Sequence, residues 1–383
     1  MKILFISLGC DKNLVDSEVM LGLLTKNGYT LIDDETQADV IVINTCCFIH
    51  DAKEESINTI LEMAQYKEQN LKALVVAGCL AERYKDEILK EIPEIDAVLG
   101  TTSYDSIVEA VNMALAENAG EHFEHYESID YLPDNSEVER VVTTGNHMAY
   151  LKIAEGCDKR CSYCIIPKIR GHFRSVPMEE LLNEAKRLAS EGVKELVLVA
   201  QETTLYGKDL TGEKQLPLLL HELCKIEGIE WIRLLYCYPE EITDELIEAI
   251  KTEEKVCNYI DMPIQHSENR ILQRMGRRTS REDLVAVIKK LRQEIPDITI
   301  RTTLITGFPG ESQEDHEGLM NFVEECKFDR LGVFTYSPEE DTLAATFEDQ
   351  IDEEVKEARR DELMSLQQEI SYEHTQQLVG KTI

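Results

Sequence analysis

The chain has 383 residues, 43% hydrophobic and 30% charged, which suits two or three globular domains with full cores and excludes a disordered polymer. Acids outnumber bases 74 to 40, a formal charge of −34, so nucleic-acid binding through the phosphate backbone is not favoured and a basic partner is. There is no run of 18 apolar residues, and the stretch Ile3 to Ile6 before Gly9 is too short for a secretion signal. A cytoplasmic protein with no membrane partner is expected.

The first hundred residues repeat one unit, an apolar strand, a loop and an amphipathic helix. Strands are predicted at 2–8, 39–44, 72–77 and 95–99, with helices near 14–27, 51–68, 81–91 and 103–117. This alternation predicts an α/β fold over 1–117: a doubly wound parallel sheet covered on both faces, with ligands at the carboxyl ends of its strands. Residues 118–142 are acidic, lack periodic apolar positions and contain Pro133, so a linker or short ribbon is expected, with His122 and His125 facing solvent. Alternation resumes over 143–373, with strands near 149–154, 195–200, 231–236, 259–264, 298–305 and 330–336. Helices are predicted near 177–191, 215–226, 243–252, 280–294 and 312–326. Six such units predict a partial (β/α)6 TIM-type barrel whose active face lies at the strand C-termini. A charged, amphipathic helix is expected near 352–378.

Eleven cysteines are many for one chain, and in a reducing compartment they read as metal ligands or core residues rather than disulfides. Cys10, Cys46 and Cys79 each close an apolar run (KILFISLGC, DVIVINTC, ALVVAGC), at spacings of 36 and 33 residues. One cysteine at a strand end is ordinarily packing; three in equivalent places of one sheet point to a metal site. Cys157, Cys161 and Cys164 form C-x3-C-x2-C in GCDKRCSYC, directly after the first strand of the second domain. That spacing also fits one face of a buried helix, but Gly156, Asp158, Lys159, Arg160 and Ser162 suit an exposed loop. A structural zinc would need a fourth ligand, with His172 the nearby candidate; an iron–sulfur cluster with one iron left open needs only three. Cys224, Cys237, Cys257 and Cys326 fall within apolar segments and read as core.

C-x3-C-x-aromatic-C after a first barrel strand resembles the signature of radical S-adenosylmethionine enzymes. The resemblance implies a [4Fe–4S] cluster on Cys157, Cys161 and Cys164 whose open iron chelates S-adenosylmethionine, with Tyr163 beside the adenine. TTLITGFPGE at 302–311 resembles the family's fifth-strand motif, where Gly307 and Gly310 would allow close backbone approach. Gln201, in LVLVAQETTLYG, stands either where the cofactor's polar end is bound or in an ordinary loop contact. Arg170 and Arg174 read equally as carboxylate-binding groups or as partners of the abundant Glu side chains. His266 in QHSEN reads as a substrate contact or a loop cap.

SLGCDKNLVDSE, INTCCFIHDAKEES and VVAGCLAERY closely resemble the N-terminal domain of methylthiotransferases. That implies a second [4Fe–4S] cluster, on Cys10, Cys46 and Cys79, whose open iron carries the sulfur to be inserted. Cys47 follows Cys46 where the family has glycine; strand alternation sends the two side chains opposite ways, and motif alignment selects Cys46. EGCDKRCSYCIIPKIRGHFRS, AQETTLYGKDL and PIQHSENRILQRMGR extend the resemblance to the branch that modifies ribosomal protein S-twelve. The implied reaction places a methylthio group on the β-carbon of an aspartate of that protein, with S-adenosylmethionine as methyl donor and as source of a 5′-deoxyadenosyl radical. An electron donor is an implied partner, and an acidic enzyme suits a basic ribosomal substrate. The alternatives are the same chemistry on a tRNA adenosine, or a zinc or iron–sulfur interaction protein. The resemblance also implies a C-terminal TRAM barrel, of which 374–383 would be the start.

Overall fold

The computed structural model describes residues 1–116, 122–136 and 138–382. It divides into two compact units, Met1–Asp158 with Ile165–Gly192, and Lys159–Cys164 with Val193–Ile383. These cut the chain differently from the expected break between 142 and 143.

In the first unit, β1 (Lys2–Ser7), β2 (Thr30–Ile32), β3 (Val40–Thr45), β4 (Ala73–Gly78), β5 (Ala97–Leu99) and β6 (Phe123–His125) form one sheet in the order β2-β1-β3-β4-β5-β6. Every pair in it is parallel. The central strands VIVINT and ALVVAG are buried at every residue, which is why they read as continuous apolar runs rather than alternating ones. Alternate residues still serve opposite faces. Ile41, Ile43, Leu74 and Val76 pack with Ile60 and Met63 of α2 (His50–Ala64), after α1 (Asp11–Lys26) has covered the other side. There Val40, Val42 and Val75 meet Met20 and Leu24 of α1.

The edge strands β2 and β6 were not placed from the sequence; β6 falls in the stretch 118–142 read as a linker or short ribbon. Phe123–His125 pairs in parallel with Ala97–Leu99, and His122 Nδ1 lies 2.7 Å from the Ile95 carbonyl. Residues 118–121 and 137 of that stretch lie outside the described residues. After it come β7 (Met148–Lys152) and β8 (Ala154–Glu155), the latter antiparallel to β9 (Arg174–Ser175). Buried Arg140 pairs with Glu18 at 3.5 Å and with Glu184 at 2.9 Å, which ties 178–190 into this unit.

In the second unit β10 (Glu195–Val199), β11 (Trp231–Leu234), β12 (Val256–Asp261), β13 (Thr299–Thr306) and β14 (Arg330–Thr335) are successive parallel neighbours. Helices Leu216–Cys224, Asp244–Thr252, Arg281–Glu294 and Gln313–Cys326 alternate with them. Each of the six strands predicted from residue 149 onward is present, β7 in the first unit and the other five in the second. β12 ends three residues earlier than expected because Pro263 has no N–H to donate to a ladder. Ser280 and Ser312 start their helices with full capping boxes, closed by Asp283 and Asp315.

The last helix, Glu353–Leu378, corrects the expected amphipathic pattern. Its buried stripe is Lys356, Arg359, Leu363, Gln367 and Ile370. Lys356 donates to the Tyr336 carbonyl at 3.0 Å, Arg359 to Glu311 at 3.0 Å and Gln367 to the Phe328 carbonyl at 2.8 Å, so polar heads are buried with partners in hand. Among the described residues no helix is long and apolar enough to cross a membrane.

Candidate functional site

β1, β3 and β4 are adjacent, with Ser7 opposite Asn44 and Thr45 opposite Gly78, so Cys10, Cys46 and Cys79 leave the sheet from neighbouring carboxyl ends. Gly9 and Gly78 make the turns at φ +90° and +93°. A Cβ at Gly9 would stand 2.7 Å from Cys46 Cβ and 2.9 Å from its Sγ, so the glycine is what lets the two loops close. Asn13, in the first turn of α1, binds the loops together. Its Nδ2 donates to the Leu8 carbonyl at 3.0 Å and the Thr45 carbonyl at 2.8 Å, and Cys79 Sγ lies 3.7 Å from its Oδ1. Asn44 Nδ2 in turn donates to the Asn13 carbonyl at 2.9 Å. Ser56 Oγ receives the Cys46 N–H at 3.0 Å and donates to the Cys46 carbonyl at 2.8 Å.

Cys10 is exposed; Cys46 and Cys79 are buried. Cys46 faces Gly9, whereas Cys47 is buried among Ile43, Ile60 and Leu80 and directs its Sγ to the Cys79 carbonyl at 3.1 Å. Burial pushes the thiols of Cys46 and Cys79 up, and the guanidinium of Arg170 works against it at both. A bound metal would displace those protons. Among the described residues no three Cys, His, Asp or Glu side chains are gathered tightly enough for one metal ion. The thiols therefore make no preformed single-ion site; a polynuclear cluster is wider and takes its thiolates further apart.

Arg170 is paired with acids rather than open to a ligand carboxylate. Its Nη1 meets Asp16 at 2.9 Å and Glu155 at 3.0 Å, and its Nη2 reaches Asn13 and, at 3.5 Å, Cys79 Sγ. Lys152 joins Asp16 and Glu155 from the other side. Arg174 faces Asp130 at 3.4 Å. Asn13, Asp16 and Glu155 lie within the quoted motifs, but their roles could not be read there, because those exist only once distant segments meet.

The compact triplet falls across the division of units, Cys157 in the first and Cys161 and Cys164 in the second. Cys157 donates its N–H to the Gly171 carbonyl at 3.1 Å; a Cβ at Gly156 would stand 2.0 Å from the His172 carbonyl oxygen. His172, the zinc candidate, is 62% exposed in its side chain and held by Asp158 at 2.7 Å. In the second unit Ser162 pins the loop, its N–H on the Met275 carbonyl at 2.9 Å and its hydroxyl on the Arg274 carbonyl at 2.8 Å. Cys161 Sγ lies 3.7 Å from the Tyr238 hydroxyl, and Arg277 and Lys159 stand 4.2 and 4.9 Å from the Tyr238 ring centre. Tyr163 meets Phe308 edge-on at 6.5 Å, in an apolar cluster with Ile271, Met275 and Tyr336.

Gln201 is half-buried just past β10. Its neighbour Glu202 escaped notice in the sequence as a polar loop residue, yet it is fully buried. Burial lifts its carboxyl to about 7, against the Thr204 N–H at 2.9 Å and Lys159 at 3.8 Å. At Gly307 (φ +69°) the close approach is to Lys356, whose Cγ would be 2.2 Å from an added Cβ. The Gly307 N–H donates to Glu311 at 2.8 Å. His266 caps its loop, Nδ1 accepting the Glu268 N–H at 3.0 Å with Nε2 3.6 Å from Glu311. Tyr236 (φ 59°) and Gln265 (φ 73°), beyond β11 and β12, hold left-handed backbone without being glycine, the kind of strain that gathers at functional ends of sheets.

Residues 2–100 match the model of uncharacterized protein family UPF0004, and residues 151–323 that of the radical SAM superfamily. The chain is 63% identical to ribosomal protein uS12 methylthiotransferase RimO of Lachnoclostridium phytofermentans, over 100% of this chain and 86% of that protein. It is 54% identical to the protein of the same name from Clostridium perfringens, over 99% of this chain and 85% of that one. Among solved structures, the radical S-adenosylmethionine methyltransferase TsrM of Kitasatospora setae, with cobalamin and a [4Fe-4S] cluster bound, aligns at TM-score 0.65 and 14% identity over 90% of this chain and 76% of that one. The cobalamin-dependent S-adenosylmethionine radical enzyme OxsB aligns at TM-score 0.56 and 13% identity, over 97% and 56%. At such identity these structures share the fold alone.

Proposed function

The chain belongs to the ribosomal protein uS12 methylthiotransferase family of radical SAM enzymes, and we propose that it places a methylthio group on the β-carbon of an aspartate in uS12. In this reading Cys157, Cys161 and Cys164 hold one [4Fe–4S] cluster, and Cys10, Cys46 and Cys79 hold a second that carries the sulfur. The observation that carries the second site is the meeting of three adjacent strand ends around Asn13. When bound, the first cluster and S-adenosylmethionine supply a carbon radical able to take hydrogen from an unactivated carbon.

The chain's own part is to hold and to exclude. Ser162, bonded to two carbonyls, fixes the turn that presents Cys161 and Cys164. Tyr163, Gln201 and the Gly307 backbone are the proposed cofactor contacts, with Phe308 and Tyr336 keeping water from the apolar side. In the first unit Asn13, Ser56 and Gly9 hold the sulfur-bearing site in register before anything binds. The −34 charge draws in a basic ribosomal protein and disfavours the tRNA alternative. A reductant must deliver electrons, and the cytoplasm, where ribosomes are, is the place of action.

Anaerobic reconstitution should give about eight irons per chain. Cys157→Ala should abolish 5′-deoxyadenosine formation, while Cys10→Ala should spare it and eliminate sulfur insertion. A mass gain on unmodified tRNA and none on a uS12 peptide would reverse the substrate; zinc with negligible iron would sink the enzyme reading altogether.

A further inference from the structure

We propose that Arg170 is a positioning residue for the thiolate of Cys79, orienting it and raising the reduction potential of the second cluster; this rests on the reading of Cys10, Cys46 and Cys79 given above. The arginine is 2% exposed, and its two terminal nitrogens have separate tasks. Nη1 is bracketed by Asp16 and Glu155 at 2.9 and 3.0 Å, which fixes the plane of the guanidinium. Nη2 is thereby turned to Asn13 and to Cys79 Sγ, the latter at 3.5 Å.

Lys152 completes a quartet of two cations and two carboxylates whose formal charges cancel. A neutral buried quartet is sufficient for itself, yet its one outward-facing donor edge meets an amide oxygen and a sulfur. A thiol accepts hydrogen bonds weakly, and a thiolate accepts them with the help of its charge. The contact is therefore worth little while Cys79 keeps its proton and much more once the sulfur is a metal ligand. Asn13, which Arg170 also engages, already ties the loops of Cys10 and Cys46, so the same fork steadies all three strand ends. A donor on a ligand sulfur favours the more negative, reduced cluster, because hydrogen bonds to sulfur help to set cluster potentials.

The test uses the full chain carrying C157A, C161A and C164A, which leaves only the second site to load. Iron content and the midpoint potential, followed by electron paramagnetic resonance, are compared with and without Arg170→Lys and Arg170→Gln. Either substitution should lower the reduced-to-oxidised ratio at a fixed potential about tenfold, a negative shift of about 59 mV for one electron. Loss of iron from a chain whose circular dichroism is unchanged would support the same role. Arg170→Lys keeps the charge that Asp16 and Glu155 require, so it decides the matter should Arg170→Gln not fold. Full iron with an unmoved midpoint in the folded Lys variant overturns the proposal. If the parent with Arg170 intact takes up no iron, it is the cluster site itself that fails.

Discussion

Glu202→Gln should stabilise the second unit at pH 8 and make little difference near pH 5. Glu202 is fully buried, and burial moves its carboxyl from 4.5 to about 7. Between those values the native chain keeps a proton that the unfolded chain has already released. Stability therefore falls as pH rises through that window, and the whole loss is in place above about pH 7. A displacement from 4.5 to about 7 corresponds to about 3 kcal/mol at 1.36 kcal/mol per unit. Glutamine never ionises, retains an oxygen for the Thr204 N–H, and leaves Lys159 its contact with Glu240 at 3.6 Å. Urea unfolding of the cluster-free, reduced chain from pH 5 to 8 measures the difference, read by Trp231, the single tryptophan, which lies in the same unit. An advantage of the variant that stays constant with pH would refute the reasoning.

Cys47→Ala should cost about 1 kcal/mol for the apolar volume lost and leave iron at the parental level, whereas Cys46→Ala should lose about four irons per chain; equal iron loss in both would undo the choice of Cys46. Gly9→Ala must hold φ near +90° and push against Cys46 Cβ at 2.7 Å, an expected cost of about 1–3 kcal/mol, with iron lost from the Cys10, Cys46 and Cys79 site while 5′-deoxyadenosine still forms. Phe308→Ala empties the space between Tyr336 at 5.3 Å and Phe347 at 6.2 Å; thermal unfolding should show a loss of about 3–5 kcal/mol, and a loss under 1 kcal/mol would mean the cluster collapses freely.

The central strands and the three cysteines that end them were legible because both signals are local. VIVI and ALVVAG are apolar throughout, and Cys46 and Cys79 follow directly where their strands stop. The edge strands TLI and FEH were not, since three residues with one covered side carry almost no pattern. Spacing and motif were enough to propose metal ligands; what surrounds those cysteines could not be read from them. Asp16, Glu155 and Lys152 look like ordinary surface charges until segments more than a hundred residues apart in sequence put them in contact. The stripe of Lys356, Arg359 and Gln367 misled for the same reason, because its carbonyl and carboxylate partners are supplied by other elements.

That stripe gives the last helix a mechanical character. A greasy face can slip along its groove by small steps, exchanging one contact for another of similar worth. A face built from directional bonds has one seating, and an axial push is not absorbed as sliding. Arg359 grips Glu311, and Glu311 in turn holds the N–H groups of Gly307 and Phe308 at 2.8 and 3.3 Å. Through Arg359 and Glu311 the seating of the helix Glu353–Leu378 is tied by a chain of hydrogen bonds to the loop beyond β13 at Gly307.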